Sequence, residues 1–184
     1  ETAMTNIQPP VELANALLLD AFGRVAEDLP HLLDGLTPEE IRWQPDPAAN
    51  SIGWLVWHLS RVQDDHLAGV DHCEQVWTAA GFAERFGLAY GVREIGYGHS
   101  AAQVRAFSVT DAALLAAYHE AVHAQTVRIV TALDTAGFAR IVDERWDPPV
   151  TAAVRLVSVV NDITSHLGQA QYLLGLRRRA AAAS

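Results

Sequence analysis

The sequence predicts an all-α protein, a four-helix bundle with one long crossover, and three observations carry that prediction. Four long stretches place apolar residues at helical spacing between proline and capping signals. No segment alternates apolar and polar residues long enough to claim a sheet. About forty residues rich in glycine and aromatics separate the second stretch from the third, a length that in a compact domain is functional or carries small helices. The chain has 184 residues, half of them hydrophobic, so a single domain over residues 1–184 is expected. Glu1 to Met4 read as an expression remnant and are set aside.

Pro9 and Pro10 open the first helix, and Leu13, Leu17, Phe22, Val25 and Leu29 follow on one stripe until Pro30. Thr37-Pro38-Glu39-Glu40 is a capping box with proline at the first helical position, so a short helix follows. Asn50 or Ser51 caps the second long helix, which runs to about Gly69. The third begins near Thr110-Asp111 and carries Leu114, Leu115, Tyr118, Val122, Ile129 and Leu133 before Gly137. Pro148, Pro149 and Thr151 start the fourth, which ends in Arg177-Arg178-Arg179, cations suited to the negative end of the helix dipole.

A net charge of -9 argues against nucleic acid or an anionic membrane as partner, since both demand a basic surface. The segment from Leu156 to Leu176 is weakly charged but carries Asn161, Asp162, His166 and Gln169, too polar for lipid and suited to a helix inside protein. Cys73, the single cysteine, excludes an internal disulfide, suits a reducing cytoplasm and reads as inert. The absence of lysine beside abundant arginine and alanine suits a GC-rich coding sequence.

The fourth helix poses the sharpest chemical question. Asp162 is the only carboxylate between Arg155 and Arg177, among Val157, Val159, Val160 and Ile163, and a buried carboxylate needs a partner. His166 lies one turn on along the same face, and Gln169 extends that polar line. On the second helix His58 sits on the stripe of Leu55, Val62 and Asp65. His58, Asp162 and His166 can therefore form a mixed nitrogen and oxygen site with an open coordination position, as catalytic metals have. A core histidine hydrogen-bonded to a buried aspartate explains the same residues without a metal.

Two motifs bear on that choice. The run from Asn50 to Asp65, with Trp54, Trp57 and His58, resembles the histidine-bearing second helix of the DinB-like superfamily. The run Asn161 to Gln169 resembles that family's fourth-helix motif, HxxxHxGQ. The resemblance covers most of the chain. It implies a four-helix bundle with a divalent metal on His58, Asp162 and His166, with aspartate standing where the family usually has histidine. That departure leaves the metal open among zinc, nickel, manganese and iron.

The motif pair is most similar to the mycothiol S-transferase branch, which implies mycothiol as co-substrate, its sulfur activated as thiolate for attack on an electrophile. Other members use such thiols as isomerase cofactors, and small bundles of the family often form homodimers. Gln169 and Asp65 are expected to hold ligand imidazoles in one tautomer, and Trp54 and Trp57 to wall the substrate pocket. A different class of reading is a non-enzymatic stress-response or binding protein whose metal site is structural or vestigial. A third is a metalloprotease, because His119-Glu120-Ala121-Val122-His123 matches HExxH. No third ligand follows at the spacing such proteases use, and both histidines are instead expected to flank the bundle face.

Overall fold

The computed structural model describes residues 10–182, so the tetrapeptide read as an expression remnant, and Pro9, lie outside the described residues. Nine helices and one small hairpin are found among them: α1 (Val11–Leu33), α2 (Pro38–Arg42), α3 (Ile52–Asp71), α4 (Val76–Ala79), α5 (Phe82–Phe86), α6 (Ala101–Arg105), α7 (Ala112–Ala132), α8 (Thr135–Ala139), β1 (Ile141–Asp143), β2 (Val150–Thr151) and α9 (Ala152–Ala182). The long helices α1, α3, α7 and α9 form the all-α bundle, each packing on two of the others, and the seam between α3 and α9 is the most extensive. The crossover from α3 to α7 carries α4, α5 and α6.

Local chemistry accounts for the helix ends. The Thr37 hydroxyl accepts from the Glu40 N–H while the Glu40 carboxylate accepts from the Thr37 N–H, completing the expected capping box. Ser51, not Asn50, caps α3 through the Trp54 N–H, and Asp111 caps α7 through the Ala113 and Leu114 N–H groups. The core runs through Phe22, Leu29, Leu55, Leu59, Leu115, Ile129, Leu156 and Ile163, all nearly inaccessible. No helix among the described residues is long and apolar enough to cross a membrane.

Several expectations need correction. Pro30 does not stop α1, which continues to Leu33 because Leu32 and Leu33 gain burial that outweighs one lost backbone bond in the last turn. Leu13 and Leu17 belong to no core stripe; both are largely exposed, Leu17 along an apolar groove with Phe138 of α8 and Val157 of α9. Helix α3 passes Gly69 and ends at Asp71, with His72 in a left-handed cap. The hairpin of β1 and β2 pairs antiparallel, with strands too short for any alternation to be read in advance.

Candidate metal centre

Helix α3 presents His58 to α9, and the side chain is almost fully buried. Its Nδ1 is hydrogen-bonded to the backbone carbonyl of Ile95. A carbonyl can only accept, so Nδ1 carries the proton and Nε2 keeps a free lone pair. The loop bearing Ile95 reaches this close because Gly96, at φ +94°, has no Cβ; one would stand 2.6 Å from His58 Nδ1 and 2.9 Å from the Trp54 ring. That loop is tied at several points. Glu94 Oε2 accepts from His99 Nε2 at 2.8 Å, His99 Nδ1 accepts from the Trp54 indole at 3.3 Å, and the Glu94 carbonyl accepts from Arg61 Nε at 3.3 Å.

Helix α9 supplies the other two groups one turn apart. Asp162 Oδ2 stands 3.6 Å from His166 Nε2, and His166 Nδ1 donates to Gln169 Oε1 at 3.0 Å, which leaves Nε2 of this ring facing the carboxylate. The imidazoles of His58 and His166 meet edge to face with centroids 4.8 Å apart. One ligand atom from each of His58, Asp162 and His166 lies within 4.8 Å of the others, and this is the only such group of three among the described residues. Asp162 Oδ1 is buried without a hydrogen-bond partner. A carboxylate oxygen and two imidazole nitrogens this close together, with the other carboxylate oxygen buried and unpartnered, fit a divalent cation. Asp162 is less enclosed than its valine neighbours suggest: Val157 faces solvent while Val159 and Ile163 face the core, so the site opens on one side.

The electrostatics agree with that donor set. The Asp162 carboxylate beside it holds the His166 imidazole above its usual range. Burial pushes the His58 imidazole down against the opposing pull of Ile95 and Asp162. Burial alone would raise Asp162, but the adjacent His166 and the charges of the surrounding histidines bring it below the ordinary carboxylate range. The site thus keeps a carboxylate and favours positive charge at its centre.

Other expected residues have other partners. Asp65 does not hold a ligand imidazole: its Oδ1 accepts from Gln75 Nε2 at 2.8 Å and its Oδ2 lies 3.4 Å from His66 Nδ1. Trp54 stacks on His58 with centroids 4.7 Å apart, and Trp57 packs among Tyr90, His99 and Phe107. Both tryptophans are buried, and the loop at Gly96 passes so close that an added Cβ would stand 2.9 Å from the Trp54 ring and 3.1 Å from the Trp57 ring. His119 does not contact solvent. It is buried, with Ser60 3.2 Å from Nδ1, while Glu120 points outward, so the HExxH residues do not converge on a cation. Burial pushes the half-buried Cys73 thiol up, consistent with an inert cysteine.

Sequence reasoning missed the Ile95 carbonyl, Gly96 and His66. A backbone oxygen leaves no signature, though the glycines of the crossover marked where close approach could occur. His66 lies two turns beyond His58 and senses the charge of Asp162 across the helix seam. Around it a polar cavity of about 400 Å³ opens between the end of α3, the hairpin and the start of α9. The larger apolar groove, about 560 Å³, lies against α1 and α8 and includes none of the three candidate ligand residues.

Comparison with known proteins agrees with this architecture. A crystal structure of a conserved protein from Enterococcus faecalis superposes with a TM-score of 0.80 at 28% identity, covering 86% of this chain and 94% of that one. No curated protein matches the chain significantly. The model of the DinB superfamily matches residues 21–170, a span that includes His58, Asp162 and His166, all of α3 and the first part of α9. The chain belongs to the DinB superfamily.

Proposed function

We propose that this protein is a divalent-metal-dependent thiol S-transferase that takes a low-molecular-weight thiol, mycothiol in the branch its motifs resemble, and joins it to an electrophilic carbon. The observation that carries this reading is the convergence of two imidazole lone pairs and a carboxylate at a place open on one side. When bound there, a divalent metal supplies a position at which a thiol ionises near neutral pH. The chain's own residues do the rest. Ile95 keeps His58 in the tautomer that offers Nε2, and Gln169 does the same for His166. Trp54, flat against His58, excludes water from the inner side of the site. The Asp162 carboxylate offsets cationic charge and favours a hard or borderline ion over a soft one.

The purely structural alternative, a metal that only holds the bundle together, is less well supported. Structural sites are closed by four protein ligands, and here three are found on a partly exposed face. Elemental analysis should give one divalent metal per chain in the wild type and loss of that metal in His58→Ala and His166→Ala. Conjugation of mycothiol to a chloro-bimane should stop in both variants and under chelation. Undiminished transfer in the metal-depleted variants would sink the reading.

A further inference from the structure

His58 is restrained in two ways, and both lead to one residue of the crossover that stands outside the triad. The first restraint is the Ile95 carbonyl on Nδ1, which fixes the tautomer. The second is the Trp54 ring, stacked on the imidazole with 18° between the planes, which fixes how the ring is turned. Glu94 directly precedes Ile95, and its carboxylate reaches Trp54 through a single intermediary, His99.

The roles along that chain are forced by the groups in it. A carboxylate accepts, so His99 Nε2 donates to Glu94 Oε2 at 2.8 Å. An indole N–H donates, so His99 Nδ1 accepts from Trp54 Nε1 at 3.3 Å. Trp57 stacks on the same imidazole and Tyr90 meets it edge to face, with centroids 6.0 Å and 4.8 Å away, so the bridging ring is itself packed in place. The Glu94 N–H donates to the Gly91 carbonyl at 2.8 Å, and its Oε1 accepts from the Gly91 N–H at 3.3 Å. Yet the Glu94 side chain is 42% exposed. The chain of contacts therefore starts in water and ends on a buried ligand imidazole.

We propose that Glu94, acting through His99, is the positioning residue of His58, setting both the plane of the imidazole and the nitrogen that it offers. This positioning holds for the metal-free chain. Its effect on affinity rests on the reading of the triad as a metal centre, and neither rests on thiol transfer. An imidazole released from both restraints turns and exchanges its proton between the two nitrogens, so a cation would lose a preorganised donor. The rival anchor is Arg61, whose Nε donates to the Glu94 carbonyl at 3.3 Å and which side-chain changes at Glu94 or His99 leave in place.

Long-range proton–nitrogen correlation spectra of the metal-free protein read the tautomer directly. Wild type and Glu94→Gln, which keeps an acceptor oxygen, should show His58 with its proton on Nδ1. Glu94→Ala and His99→Phe should show the proton shared between Nδ1 and Nε2. In chelator competition for zinc, these two variants should bind about tenfold more weakly, and Glu94→Gln within about twofold of wild type. Asp111→Ala, which removes the cap of α7 and none of the contacts above, should lower stability without moving either readout. Should His99→Phe fold poorly, Glu94→Ala carries the test, since it empties a half-exposed position. An unchanged Nδ1 tautomer in Glu94→Ala and in folded His99→Phe would overturn the proposal and leave Arg61 as the anchor. Loss of the tautomer in the variants, with no zinc bound even by wild type, would uphold the positioning role and overturn the metal centre.

Discussion

Gly96 shows how much of the site depends on an atom that is missing. Its φ of +94° is strained for any L side chain, and an added Cβ would press on His58 and Trp54. Gly96→Ala should therefore cost about 1–3 kcal/mol of stability in urea titration. It should also weaken metal binding about tenfold in a chelator competition, because the Ile95 carbonyl would be driven off His58. Unchanged metal affinity would show that the loop does not hold the imidazole. The same scale explains Asp162. Aspartate reaches less far than histidine but brings a full charge, and the neighbouring histidines hold it ionised.

At the scale of elements, the crossover is fastened by charges buried in α3. Arg61 and Asp64 are both essentially inaccessible and 3.6 Å apart. Asp64 accepts from the Val76 and Trp77 N–H groups and from the Tyr118 hydroxyl, each at 2.8 Å. Arg61 donates to Gln75 at 2.9 Å and to the Glu94 carbonyl, and its guanidinium lies over the Trp77 ring. These two residues grip the crossover at both its beginning and the loop that seats His58. Asp64→Ala leaves Arg61 uncompensated and three donors unpaired, so denaturant unfolding should show a loss of about 3–5 kcal/mol. Retention of wild-type stability would mean the network is incidental.

Across the whole molecule, the buried histidines set the response to acid. His119 donates through Nδ1 to Ser60, whose own hydroxyl donates to the Val56 carbonyl at 2.8 Å, and His119 Nε2 has no partner. Burial pushes its imidazole down to about 3. Unfolded His119 takes up a proton as pH falls through its usual 6.5, while the folded residue refuses it until about 3. Its stabilising contribution is therefore complete above 6.5 and is lost progressively down to about 3. Within that window it adds a slope of about 1.4 kcal/mol per pH unit. His119→Phe, measured by urea unfolding between pH 7 and pH 4, should flatten the acid limb by one proton's worth. An unchanged slope would place the acid sensitivity elsewhere.

The punctuation of the chain was enough to place four helices and the short capped one, because prolines, caps and apolar spacing act locally on the backbone. The pairing of Asp162 with His166 was legible for the same reason, being one turn of a single helix. What lay beyond the sequence was everything set by approach between distant segments. Leu13 and Leu17 have helical spacing yet face out, Trp54 and Trp57 are closed over by Gly96, and Asp65 turns to Gln75. Only the packed bundle decides which side of a helix meets a neighbour and which backbone carbonyl lands on an imidazole. Those outcomes depend on side-chain volumes and buried polar pairing summed over several elements, and no window along one strand of sequence contains that sum.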